Sequence, residues 1–471
     1  MRGCSEAHAV VPVAFWLVKS QFATDTDNGV RNNRIWARIL GVEKTVVEAV
    51  EFDDDDEGCV VVSVRPKSRA QSRCGVCQRR CPGYDNGPGR RRWRALDAGL
   101  ASVFIEAQTP RVSCREHGVV VAAVPWARHG AGHTKTFDET VAWLATRCSK
   151  SAVCELTQIA WRTVGSIVDR VWADTGGSFD RFDGLRRIGI DEISYKRGHK
   201  YLTVVVDHDS GRLVWAAEGR NAATLRLFFD ALGAARCAAI THVSADAAAW
   251  IAKVVTERCP EAIRCADPFH VVAWATAAVD KVRRGAWNRA RAKAAPRKRF
   301  STRGRPRAGT GNTVDPDRQQ ATVVKKSRWA LLKNPENLTD KQAVTLRLIE
   351  LEDPALHRAY LLKESLRLIF QMKHQDAVTE LARWIGWARR CKIPEFVELQ
   401  RSIVTHQDSI LAAIEHGLSN GRIESVNTKI RLITRIAFGF RSPEALIALA
   451  MLSLGGHPPL LPGRKHPQIS Q

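Results

Sequence analysis

Three carboxylates in this 471-residue chain, Asp191, Asp246 and Glu424, stand where a fold could aim them at one point. Asp191 closes the apolar run RIGID and Asp246 closes THVSAD, so each reads as a strand-end acid. As neighbours in a mixed sheet, those two strands would bring both carboxylates to one edge. Glu424 opens a helical pattern in SNGRIESVNTKIRLITRIAFGF, residues 419–440. There Ser419 and Asn420 offer helix-start chemistry, and Ile423, Val426, Ile430 and Ile433 make the apolar stripe. Glu424 lies off that stripe, with Asn427, Arg431 and Arg435 on its own side. Such a helix beside the sheet edge would supply a third carboxylate. Hard oxygen groups of this kind can hold two Mg2+ ions roughly 3.5–4 Å apart, which activate a water or hydroxyl and stabilise the leaving oxygen of a phosphodiester. Arg431 and Arg435 would then hold the nucleic-acid strand. Each acid alone reads equally well as a cap or a surface charge, so spacing does not decide the site.

A second constellation lies upstream. Cys74 and Cys77 form a Cys-x-x-Cys knuckle in CGVCQRRC, and Cys114 and His117 form its partner in CREHG. Two such pairs supply a tetrahedral thiolate and imidazole set for structural Zn2+, with Cys81 as an alternative ligand. Between the pairs, Arg90, Arg91, Arg92 and Arg94 flank Trp93 and suit phosphate contact; a solvated loop is the competing reading. The other cysteines are scattered singly among apolar residues and read as core thiols in a reducing compartment.

The elements that must position these groups follow from periodicity. Two strand-like stretches flank the acidic run EFDDDDEG, which reads as a charged turn. From Thr136 to Trp172 the pattern is helical, with Ser149 or Ser151 as a cap. It reads as a helix-turn-helix whose last helix presents Arg162, Thr163, Ser166 and Arg170 to a groove. DTGGSFDRFDG, residues 174–184, reads as a linker. Three hairpin-type strands follow, RRIGIDEIS, KYLTVVVDHDS and RLVWAAEG, then a helix over 222–233. ITHVSAD and IRCADPFHVV are two further strands around another helical segment, which implies a mixed sheet covered on both faces. Residues 281–308 hold twelve Lys or Arg and no acid, with Trp287 and Phe300 interleaved as in a DNA-contacting arm. Helical segments continue to about residue 415.

Composition narrows the partner. The formal net charge is +23, from 72 basic and 49 acidic side chains, which points to a polyanion. No apolar run reaches the eighteen residues of a membrane span. AVVPVAFWLV at 9–18 is apolar but has a single Arg2 ahead of it and no cleavage site after it, so it reads as an extension or an upstream start.

GIDEISYKRGHKYLTVVVDHDSGRLVW, VSADAAAWI, DPFHVV and SNGRIESVNTKIRLITRIAFGFRS together resemble the transposases of the ISL-three insertion-sequence family. The CGVC and CREHG knuckles and the helices after them resemble its zinc-binding and helix-turn-helix parts. The resemblance runs from about residue 36 to about 456. It implies a multidomain α/β chain: residues 1–35 as a poorly ordered extension, 36–130 as the zinc module, 131–174 as the helix-turn-helix. Residues 184–456 would form a ribonuclease-H-like DDE catalytic domain with a helical insertion at about 285–415, and 457–471 a tail. It also implies Mg2+ (or Mn2+) held by Asp191, Asp246 and Glu424, with binding of terminal inverted repeats and target DNA. Strand cleavage and transfer by 3′-hydroxyl attack would follow, in at least a homodimer and in a bacterial, nucleoid-associated cytoplasmic setting. Asp267 is the alternative second acid, with His270 beside it, and Pro268 stands where the family usually has Arg. A binding-only derivative or repressor and a structure-specific nuclease are the rival functions.

Overall fold

The computed structural model describes residues 26–53, 55–56, 58–293, 316–440 and 442–464, in two compact units: the described residues up to Ala173 together with 458–464, and those of Asp174–His457. The apolar segment at 9–18, most of the basic arm and the last residues of the tail lie outside the described residues.

In the first unit α1 (Thr26–Ile39) leads into β1 (Thr45–Phe52) and β2 (Cys59–Pro66). These two strands form an antiparallel hairpin around the acidic turn. Next come β3 (Gly83–Asp85), β4 (Arg90–Arg94), β5 (Ser102–Gln108), β6 (Arg111–Cys114) and β7 (Gly118–Val121). They build a four-stranded sheet in the order β1-β2-β5-β4 and a three-stranded sheet β3-β6-β7. Alternation in CVVVSV and SVFIEA sends Val60, Val62, Val103 and Ile105 to one buried face, closed by Trp93 edge-on to Trp126 at 5.6 Å. Three helices follow: α2 (Lys135–Ala145), α3 (Lys150–Thr157) and α4 (Trp161–Ser178). Thr134 Oγ1 accepts from Phe137 N and Ser149 Oγ from Ala152 N, so Ser149 is the cap at α3. The chain leaves α3 through Gln158 in a left-handed conformation, φ 53°. The stretch read as a linker from its glycines begins inside α4, because Val164, Ile167, Val168 and Val171 bury one face and carry the helix on to Ser178.

The second unit opens with β8 (Arg187–Lys196), β9 (Lys200–Asp207) and β10 (Leu213–Glu218), antiparallel neighbours with a turn at Asp209-Ser210-Gly211. Then come α5 (Ala222–Leu232), α6 (Ala234–Ala239), β11 (His242–Ala245), α7 (Ala249–Arg258) and β12 (Ile263–Ala266). β11 lies between β8 and β12 and is parallel to both, giving the order β10-β9-β8-β11-β12. Ile188, Ile190, Val205 and Val243 fill the core with Leu225, Phe228 and Phe229 of α5 and Ile251 and Val254 of α7. The fifth strand is shorter than its apolar sequence predicts. It ends at Ala266 because Pro268, with no N–H to give, starts α8 (Pro268–Lys293).

α8 and α9 (Pro316–Lys326), α10 (Arg328–Leu332), α11 (Asp340–Glu352), α12 (Pro354–Ile369), α13 (His374–Arg390), α14 (Pro394–Thr405) and α15 (Gln407–His416) share a second core around Trp384, Phe396, Leu362 and Ile403. Trp287 packs against that core and carries Arg291 over its ring at 5.6 Å, so it belongs to the bundle. α16 (Gly421–Ile436) then returns to β8, and α17 (Pro443–Leu454) packs on β10. Ile423, Val426 and Ile430 are buried and Ile433 half-buried, the stripe read from the sequence. β8 tolerates the helix only because of Gly189: a Cβ there would lie 2.1 Å from Ile423 Cδ1 and 2.9 Å from His208 Nε2.

Candidate functional site

β8 and β11 run parallel in a register that pairs Ala245 with Ile190, so Asp246 follows immediately beside Asp191. β11 stops there while β8 continues, and the ends of parallel strands are where α/β sheets usually bind ligands. Asp191, Glu192 and Asp246 each place a carboxylate oxygen at those strand ends, all within 4.8 Å of one another. A second group of Asp246, Asp267 and His270 shares Asp246. Asp267 follows β12 and His270 sits in the first turn of α8, so adjacent parallel strands feed one place.

Hydrogen bonds fix the acids. Asp191 Oδ1 accepts from Glu192 N at 2.7 Å and Oδ2 from Asn427 Nδ2 at 2.7 Å. Burial, reinforced by Asp246, pushes the Asp191 carboxyl up to about 6 even though the Glu192 N–H opposes it. Burial likewise pushes Glu192 up to about 7, with Arg220 opposing. His270 Nδ1 stands 2.6 Å from both Asp246 Oδ1 and Asp267 Oδ2. Its single N–H satisfies Asp267 by geometry, and Asp246 Oδ1 keeps only the ionic contact. The two carboxylates raise the imidazole to about 10, so an imidazolium bridges them at neutral pH.

α16 contributes differently from its sequence pattern. Glu424 is exposed and lies in neither group of metal-capable side chains among the described residues. One turn on, the buried Asn427 makes the contact to Asp191, and its Oδ1 has no hydrogen-bond partner. Asn420 precedes the helix but makes no capping bond; its Oδ1 accepts from Ser244 Oγ at 2.7 Å. Ser244 Oγ also lies 2.6 Å from His208 Nε2, in a buried chain from β9 through β11 to the head of α16. Burial drives His208 down to about 4, so its ring is neutral. Arg422 donates to His208 O, and to Asp209 O at 2.8 Å, which ties the helix start to the β9–β10 turn.

In the first unit, Cys74, Cys77, Cys114 and His117 converge. Cys77 Sγ lies 3.8 Å from Cys114 Sγ, and His117 Nδ1 lies 3.8 Å and 3.6 Å from Cys74 and Cys114. A tetrahedral Zn2+ with sulfur at about 2.3 Å and nitrogen at about 2.0 Å needs ligand separations of about 3.5–3.8 Å, so the set fits. His117 pulls the Cys114 thiol down to about 6, toward the thiolate a metal requires. Cys81 stands outside this group, with its Sγ against Arg79 O at 3.4 Å. Of the cysteines read as core thiols, Cys59, Cys237, Cys259, Cys265 and Cys391 are buried, Cys154 is half-buried and Cys148 exposed. Cys4 lies outside the described residues.

The arginines divide into two sets. Arg91 donates to Ala131 O at 2.7 Å and lies over Trp93. Arg92 pairs with Glu106 and Asp53. Arg94 is held by Ala95 O and Asp97 and lies over Phe104 and Phe137. Arg170 turns to the buried Asp138, with Nε at 3.3 Å, and so ties α4 to α2. Arg162 on α4 and Arg431 and Arg435 on α16 are exposed. No described helix is long and apolar enough to cross a membrane.

Sequence reasoning passed over Glu192, Asn427 as a partner of Asp191, and the chain of His208, Ser244 and Asn420. The Asp-Glu dipeptide and the Asn three residues after Glu424 are visible signals. His208 carries none, since only the sheet register brings it to Ser244.

Residues 188–450 match the family model of the ISL3 DDE transposase, described as "Transposase". Residues 122–172 match the helix-turn-helix domain of transposase family ISL3, and 70–117 the zinc-finger of transposase IS204/IS1001/IS1096/IS1165. The transposase for insertion sequence element IS1557 of Mycobacterium tuberculosis, in two strains, is 63% identical over 447 residues, covering 94% of this chain and 100% of the relative. The transposase for insertion sequence element IS1001 of Bordetella parapertussis is 26% identical over 402 residues, 84% of this chain and 92% of the relative.

Proposed function

The chain belongs to the ISL3 family of DDE-type transposases, and from that premise we propose that Asp191 and Asp246, with Glu424 on α16, are its catalytic metal ligands. The observation that carries this reading is the parallel register of β8 and β11, which sets Asp246 beside Asp191. Three antiparallel strands followed by two parallel ones support a ribonuclease-H-like domain, with the bundle from α9 to α15 as a helical insertion. The donor set is hard oxygen, which suits Mg2+ or Mn2+ and not a thiophilic ion. Bound there, these ions would supply an activated water, then an activated 3′-hydroxyl, and a stabilised leaving oxygen.

The chain's own residues prepare that site. Glu192 N–H and Asn427 Nδ2 hold both oxygens of Asp191, so its carboxylate cannot swing. His270 holds Asp246 and Asp267 at a common spacing until a cation competes for them. Asn420, Ser244, His208 and Arg422 fix where α16 begins, and thereby the place of Glu424. Cys74, Cys77, Cys114 and His117 would hold a structural Zn2+, which would tie the small three-stranded sheet together. Arg162 on α4 reads the terminal inverted repeats in a groove, while Arg431 and Arg435 hold the strand being cut. Two ends and a target must be joined, so the chain works as a homodimer or larger assembly on DNA in the bacterial cytoplasm.

The test is strand cleavage of a labelled duplex carrying the element's end, with Mg2+, by wild type and Asp191→Asn. Cleavage at the element boundary that the substitution abolishes supports the reading. Tight end binding with no cleavage by wild type under Mg2+ or Mn2+ would replace it with a binding-only protein.

A further inference from the structure

We infer that Glu192 is an additional metal ligand of the acidic site, binding the same divalent cation as Asp191 and Asp246; this rests on the site reading above. One of its carboxylate oxygens and one from each aspartate lie within 4.8 Å of one another. Oxygens around a Mg2+ at about 2.1 Å lie at most about 4.2 Å apart, so a small contraction closes the set.

The bonding of Glu192 is the second, independent observation. Its side chain is 4% exposed, yet Oε1 has no hydrogen-bond partner. The nearest cation, Arg220, stands 3.7 Å away, is itself 51% exposed and lies over the Tyr201 ring at 5.2 Å. A buried carboxylate needs donors aimed at its oxygens. Asp207, on the neighbouring strand, shows what a purely structural one looks like in this sheet. Asp209 N at 3.0 Å and Ser210 Oγ at 2.5 Å donate to its two oxygens, with Arg212 at 3.5 Å. The Glu192 side chain, 4% exposed against 7% for that of Asp207, lacks that dressing. Next to Asp191 sits another buried acceptor without a donor, Asn427 Oδ1. Two buried oxygens without a hydrogen-bond donor, beside paired carboxylates, suit a hydrated cation.

The experiment is a Mn2+ titration of the full chain without DNA, followed by electron paramagnetic resonance. Wild type, Glu192→Gln, Asp191→Asn and Arg220→Ala are compared, each with its thermal melt and end-DNA binding. Glu192→Gln is expected to weaken Mn2+ binding at least about tenfold with end-DNA binding intact, and Arg220→Ala to leave Mn2+ binding at wild-type strength or tighter. Wild-type Mn2+ affinity in Glu192→Gln, with loss in Asp191→Asn, overturns the inference alone. Wild-type affinity in both overturns the site reading as well. Should Glu192→Gln fail to fold, Glu192→Asp carries the same comparison, and loss of Mn2+ binding in Arg220→Ala would instead make the pair structural.

Discussion

Asn427 Nδ2 lies 2.7 Å from Asp191 Oδ2, a hydrogen bond between residues 236 positions apart. It fixes the rotation of α16 against β8, and Glu424 stands three residues earlier on the same helix. Replacing Asn427 by Leu keeps the branched shape and removes the donor. Single-turnover cleavage should fall about 10- to 100-fold with end binding retained. A full-rate Asn427→Leu enzyme would remove this residue from the site.

Gly189 is the contact point between strand and helix. Gly189→Ala drives a methyl into Ile423 and His208, and overpacking of this kind costs about 1–3 kcal/mol. Ile423→Ala in the same chain vacates that space. The double variant should therefore lose less stability in urea than the two single losses added together. Simple additivity would mean that the helix does not press on the strand here.

His208 gives the second unit a pH signature. The unfolded chain takes up this proton near 6.5, the folded chain only near 4, because burial disfavours the charged ring. Its stabilising contribution is complete above pH 6.5 and is lost as pH falls toward 4, by at most ~3 kcal/mol. Moving from pH 7 to pH 5 should lower the urea midpoint more in wild type than in His208→Gln, since Asp191 and Glu192, raised to about 6 and about 7, act in the opposite sense in both chains. An equal shift in both would assign the acid sensitivity to other groups.

One zinc per chain should be released by a chelator, and the first unit should lose its cooperative melt when it goes. Cys77→Ser should lower the zinc content measured by metal analysis; Cys81→Ser should not. A zinc count that falls only with Cys81 would redraw the ligand set.

Much of this was legible in the sequence, for physical reasons. Strand ends and the helical stripe follow from side-chain alternation and the 3.6-residue period, which is why Asp191, Asp246 and the buried face of α16 were visible. Ligand spacing alone located Cys74, Cys77, Cys114 and His117. The rest depended on register and rotation, which no local pattern encodes. Whether α16 turns Glu424 or Asn427 toward Asp191 is a matter of one helical turn. Arg94 and Arg170 read as DNA contacts because a sequence cannot show the rings and the buried Asp138 that hold them. Glycines at 176 and 177 spoke for a linker, and four buried valine and isoleucine side chains upstream carried the helix over them.

The long span between β8 and α16 also sets an order in time. A ribosome makes α1 to α4 and all five strands of the second unit before it makes Asn420, Glu424 or Asn427. Contacts this distant in sequence form late. On the function proposed above, a chain halted short of residue 420 would keep the helix-turn-helix and lack α16. Such fragments would occupy element ends and shield them from intact copies, which end-protection assays on chains truncated before α16 can read directly.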